Sequence, residues 1–160
     1  MVVKTAIKPV APEARLRAFI GKFDPGNQKL MGSVRAAVRK LFPTANELAY
    51  EYNHAVVISY SPSERGIEGI VSLSLLAEGV RLYFTNGPKM ADPKGLLQGS
   101  AKQVRFIPVK SARDLAHPDV QALLAAAVDL AAVPLPSAGK GSLIIKSEAS
   151  KKPPRGKPKK

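Results

Sequence analysis

The chain contains no cysteine. That excludes a disulfide framework, thiolate-held metal sites and a cysteine nucleophile. Histidine is scarce, with only His54 and His117 present. A zinc or iron site needs several convergent ligands. The two histidines fall on different predicted elements with no carboxylate at metal-ligand spacing, so neither a metal site nor a cofactor is expected. Long apolar runs are missing too. The stretch Leu123 to Val128 falls far short of the roughly 20 residues that cross a bilayer. Met1 to Pro12 holds no apolar stretch of the secretion-signal kind. The expectation is a cytoplasmic protein with no membrane partner. Nucleophile elbows, glycine-rich dinucleotide loops and Walker A spacing are absent as well, which predicts no catalytic residues and a non-enzymatic protein.

What is abundant is positive charge. The 160 residues carry 25 lysines and arginines against 12 acids, for a formal net of +13. The excess is uneven. Met1 to Val133 has 17 basic residues and 11 acids, whereas Pro134 to Lys160 has 8 and 1. A mildly basic domain is therefore joined to a strongly basic tail. The 45% hydrophobic content is that of a globular chain with a core of its own.

Periodicity predicts the elements. Leu16, Phe19, Ile20 and Phe23 recur at helical spacing after Pro12, a residue suited to a first turn. Asp24-Pro25-Gly26 breaks the chain, and Asn27 is the expected cap of a second helix with the stripe Leu30, Met31, Val34, Ala37, Val38 and Leu41. Pro43 stops it. Glu47 and Glu51 are spaced to lie close on a helical turn. Beyond them, His54 to Tyr60 and Ile70 to Leu76 read as strands. Glu78-Gly79 turns into Val80 to Phe84, where Val80, Leu82 and Phe84 face one way and Arg81 and Tyr83 the other. Val104 to Val109 is an edge strand, because Pro108 cannot donate to a ladder. In the glycine- and proline-rich connection from Thr85 to Lys102, a short helix from Pro93 to Gln98 is expected, capped by Asp92 and ended by Gly99. Ser111 to Asp114 has capping-box spacing. His117-Pro118-Asp119 opens a last helix, with Val120, Leu123, Leu124, Ala127, Val128 and Ala131 on one side.

These elements predict a two-layer α+β domain. An antiparallel sheet of about four strands packs against an N-terminal helical hairpin and a C-terminal helix. The expected organisation is a flexible N-terminus over 1–11, the domain over 12–133 and a proline- and lysine-rich tail over 134–160. Within that tail, 142–147 can dock as an extra strand and 148–160 is expected to be disordered.

Several stretches carry a family resemblance. They are Glu47-Leu-Ala-Tyr50-Glu-Tyr52-Asn53, Ser59 to Arg65, Val80-Arg-Leu-Tyr-Phe84, and above all Asp92-Pro-Lys-Gly-Leu-Leu-Gln-Gly-Ser100 with Lys102-Gln-Val-Arg105. Together they resemble a branch of the YdhG-like family, a domain of unknown function common in bacteria. The resemblance covers roughly Val34 to Val128, and Lys146-Ser147 is similar to a tail seen in the same branch. The resemblance implies a compact α+β fold, with no assigned activity for most members; the expected role of this chain is that of a binding or accessory protein. Some members are proposed as frataxin-like iron chaperones. This chain departs from that role in charge, since its acids are scattered through a basic domain, and it has Ala101 where the family more often shows glycine.

Three candidate sites emerge. In the first, the backbone amides of Gly95, Gly99 and Ser100, with Lys89, Lys94, Lys102 and Arg105, can hold a small anionic ligand or a protein partner. The competing reading is a tight connection with solvated lysines. The second is Tyr50, Tyr52 and Asn53, against simple packing at the entrance to the sheet. The third is the tail: Lys151, Lys152, Arg155, Lys157, Lys159 and Lys160 can hold nucleic acid or an acidic surface non-specifically through counterion release. A solubilising tail is the alternative. No aromatic residue interleaves these cations, so the tail itself offers no base stacking.

Overall fold

The computed structural model describes residues 11–149. Three helices, α1 (Pro12–Ile20), α2 (Pro25–Leu41) and α3 (Pro118–Asp129), accompany six strands. The strands are β1 (Asn46–Glu51), β2 (Ala55–Ser61), β3 (Val71–Leu76), β4 (Gly79–Phe84), β5 (Arg105–Val109) and β6 (Leu143–Ser147). The α+β class is as expected, but the sheet is larger and mixed. Its order is β5-β4-β3-β2-β1-β6, antiparallel throughout except that β6 lies parallel to β1.

The two extra strands have separate causes. Asn46–Glu51 forms β1 rather than a helical turn, so Glu47 and Glu51 share a strand face by their even spacing. Parallel strands need a long crossover; all of 52–142 separates β1 from β6, and its last part, 130–142, leads from α3 to the free edge of β1, where Leu143–Ser147 pairs. The expected extra strand is thus part of the sheet, and Glu148 beyond it pairs with Arg15 of α1 at 2.6 Å. Residues 1–10 and the tail cations Lys151, Lys152, Arg155, Lys157, Lys159 and Lys160 lie outside the described residues.

Capping differs by one turn from the sequence expectation. Asp24, rather than Asn27, caps α2: its carboxylate accepts the Asn27 backbone N–H at 2.8 Å, and Pro25 takes the first helical position. Asn27 is then free to donate its side-chain amide to the Ala77 carbonyl at 3.0 Å, tying the helix to the β3–β4 turn. The Ser111–Asp114 capping box is present, and α3 begins at Pro118.

The core lies on one face of the sheet. Leu16 and Phe19 of α1, Met31, Val34 and Val38 of α2, and Val120, Leu123, Leu124 and Ala127 of α3 form a single apolar cluster. They meet the rows Val56, Ile58 and Tyr60 of β2, Val71, Leu73 and Leu75 of β3, and Val80, Leu82 and Phe84 of β4.

The approach to β6 is fixed by one glycine. A Cβ on Gly141 would run into the backbone of Ala45 and lie 2.9 Å from Asn46 N, where Gly141 donates to the Pro43 carbonyl. Gly141→Ala is therefore expected to detach β6 selectively. Amide exchange should accelerate at Leu143 to Ser147 while β2–β3 amides stay protected; unchanged exchange at β6 would contradict this account.

Candidate functional site

The strand register divides the sheet into a helix-covered face and an open one. Two cross-strand rows run over the open face. One is Tyr50–Val57–Ser74–Arg81–Pro108 and the other is Leu48–Ser59–Ser72–Tyr83–Phe106. Apart from Leu48, which is fully buried, their larger side chains are half-buried or exposed. None belongs to the core cluster.

Half of this face is partly covered. The connection from Pro62 to Gly69 folds across β1 and β2, and both of its glycines serve close approach. Gly66 lies on the Tyr50 hydroxyl and Gly69 on the Ser59 hydroxyl, where a Cβ would collide. Ile67, on the same connection, is 81% exposed.

Over β3, β4 and β5 the face carries an aromatic and cationic cluster. The Arg81 guanidinium stands 4.3 Å above the centre of the Phe106 ring, a cation–π distance. The Tyr83 ring is 5.2 Å from that of Phe106, and Arg81 also donates to the Tyr83 hydroxyl at 3.2 Å. Arg81 makes no ion pair among the described residues. Beside it a hollow of about 360 Å³ is lined by Phe106, Pro108, Lys110, Gln98 and Glu78 of the β3–β4 turn.

The acids of the strands are all on the other face. The strands contain only two, Glu47 and Glu51, both on β1. Glu47 is buried and fully engaged. Arg35 donates to both its oxygens at 2.8 Å and Tyr60 donates its hydroxyl at 2.7 Å. Arg35 also grips Glu13 in a fork, at 3.0 and 2.8 Å. Burial works against the Arg35 charge, yet these carboxylates outweigh it and push its pKa further up. The Arg35 hydrogen bond holds Glu13 below the ordinary carboxylate range. Burial, with the Glu47 charge beside it, raises the Tyr60 phenol well above its usual value. This is a structural clamp between helices and sheet, since every strong donor in it already has its acceptor.

The cations predicted around Thr85 to Arg105 do not converge. In place of the expected helix over Pro93–Gln98 there is a turn closed by Gly95 N–H on the Asp92 carbonyl at 3.0 Å. Gly95 adopts φ +64°, a left-handed conformation that ends any helix there. The Asp92 carboxylate accepts the N–H groups of Leu96 and Leu97 at 2.8 and 2.9 Å. The anion in this nest is thus the chain's own. Lys94 turns to Asp119 at 3.6 Å, and Arg105 donates to the carbonyls of Ala101 and Val104. Lys89, Gly99, Ser100 and Lys102 are exposed. Gly99 instead supports the open face, lying against the edge of the Phe106 ring.

The second predicted group borders another cleft through Tyr52 and Asn53. Tyr50 and Tyr52 stack with rings 6.3 Å apart and nearly parallel; burial and the neighbouring Tyr52 raise the Tyr50 pKa. Tyr52 and Asn53 line a cleft of about 470 Å³ with Lys22, Asp24, Glu51 and His54, over a floor that includes Phe19 and Val56. Lys22 pairs with the buried Glu51 at 2.7 Å. Asp24, Glu51 and Lys22 leave this cleft with a formal charge of −1, so an anion is disfavoured there. Among the described residues no group of three or more histidine, aspartate or glutamate side chains is arranged to hold a metal ion. No helix among them is long and apolar enough to cross a membrane. Protein-family models, curated proteins and solved structures were all compared with this chain, and none matches.

Proposed function

We propose that this chain is a non-enzymatic binding protein of the YdhG-like kind, and that its docking surface for an anionic partner is the open face of the sheet. One observation carries the reading: a half-buried Arg81–Tyr83–Phe106 cluster sits on a face whose strands present no acid, in a domain whose 17 basic residues outnumber its 11 acids from Met1 to Val133. Arginine and aromatic residues are the side chains that most often anchor interfaces, and a field of one sign speeds encounter with the opposite sign. The exposed Ile67 gives the face an apolar margin. The iron-chaperone alternative draws no support from the arrangement of the acids. The small-anion site at residues 85–105 is disfavoured because Asp92 fills it.

Charge reversal tests the reading. In the full chain, Arg81→Glu combined with Phe106→Ala is expected to weaken binding of both polyglutamate and a thymidine oligonucleotide by about tenfold or more, as anchor losses of 1–2 kcal/mol each imply. Both side chains are half-exposed, so the circular dichroism spectrum should be unchanged. Equal affinity of a folded variant for both polyanions would overturn the proposal.

A further inference from the structure

The proposed docking surface has a chemistry more specific than charge, and any partner assigned from that chemistry depends on the surface being the right one. Its centre is a pair of rings side by side, with a planar guanidinium lying over one of them. Flat aromatic groups at half exposure on a sheet face are suited to a partner that is itself flat. Nucleobases are, and each offers a broad π face that the small carboxylates of an acidic peptide lack. Phenylalanine, tyrosine and the arginine plane are the groups on which unpaired bases stack. A duplex hides the faces of its bases inside the stack, so the fitting partner is single-stranded.

We infer that the open face binds single-stranded nucleic acid, its bases stacking on Tyr83 and on the Arg81 plane that covers Phe106, and its phosphates meeting the Arg81 N–H groups and Lys110. Ser72 is next to Tyr83, and Ser74 next to Arg81, in the cross-strand rows. The Ser72 hydroxyl supplies a donor and an acceptor beside the stacking platform without adding charge, whereas Ser74 is buried beneath it. The requirement for both rings and cations is met here by the fold. The tail has cations without rings, and the stacked Tyr50 and Tyr52 border a cleft of opposite charge.

The decisive comparison is between a thymidine oligonucleotide and an abasic phosphodiester chain of equal length, each titrated into the full chain by fluorescence anisotropy. Stacking of a single base predicts that the thymidine chain binds about 5- to 150-fold more tightly. Phe106→Leu and Tyr83→Leu should each shrink that advantage while leaving the abasic chain's affinity in place. Arg81→Gln should weaken both chains and lower the salt slope by about 0.7. Equal affinity of the two chains, with the Arg81→Glu and Phe106→Ala variant still impaired, would overturn the nucleic-acid assignment and leave an acidic protein as the partner. Indifference of every probe to that variant would instead sink the docking surface itself.

Discussion

Arg35→Met should lower the unfolding free energy by about 3–5 kcal/mol, measured by urea denaturation. The loss is large because of what remains behind. Glu47 is 4% exposed, and without Arg35 its charge would have the Tyr60 hydroxyl and the more distant Arg39, at 3.6 Å, for compensation. A buried carboxylate in that state either stays charged at high cost or takes up a proton. The clamp as a whole is worth less than its dismantling suggests, because desolvating the ions offsets much of their attraction. Combining Arg35→Met with Glu47→Leu should therefore recover a good part of the stability lost by Arg35→Met alone. A loss below about 1 kcal/mol for the single variant would mean that Arg39 or water replaces Arg35 freely.

Leu73→Ala is the second large effect. Leu73 is fully buried on β3, flanked on the same face by Ile58 of β2 and Leu82 of β4. It lies between helices and sheet, where the surroundings cannot collapse without moving strands on both sides. A cavity of this kind destabilises by about 2–5 kcal/mol, or roughly 4–20 °C in melting temperature. Leu41, 39% exposed at the end of α2, is the control: truncating it should change little. If the two variants melted alike, the single-core description would be wrong.

The parts of the fold legible in sequence were those whose pattern obeys burial locally. The stripes of α2 and α3, the β3–β4 hairpin and the Pro108 edge strand follow from spacing and backbone chemistry. β1 was not legible. It places Glu47 and Glu51 toward the helices, and only the three-dimensional positions of Arg35 and Lys22 make those charges admissible there. The parallel seat of β6 depends on a partner strand some 96 residues away, as the Ser142–Asn46 hydrogen bond illustrates. At Asp92 the sequence pointed to the right side chain and the wrong element, because a carboxylate that caps a helix can equally close a turn when Gly95 takes a positive φ.

The candidate site was half legible. The outward placement of Arg81 and Tyr83 is a direct consequence of alternation along β4. Nothing in the sequence says that β5 pairs with it in the register that brings Phe106 beside Tyr83. A strand with alternating arginine and aromatic residues on its polar side is the signal that singles out such a face. The lysines around Thr85 to Arg105 stood out more by number, yet number does not make lysines converge.

The most direct test of the docking surface is amide chemical-shift mapping of the full chain during titration with a thymidine oligonucleotide. The account predicts the largest shifts at Ser72, Ser74, Arg81, Tyr83 and Phe106. Shifts confined to residues 85–104, to the Lys22–Glu51 cleft or to the lysines of 151–160 would contradict it.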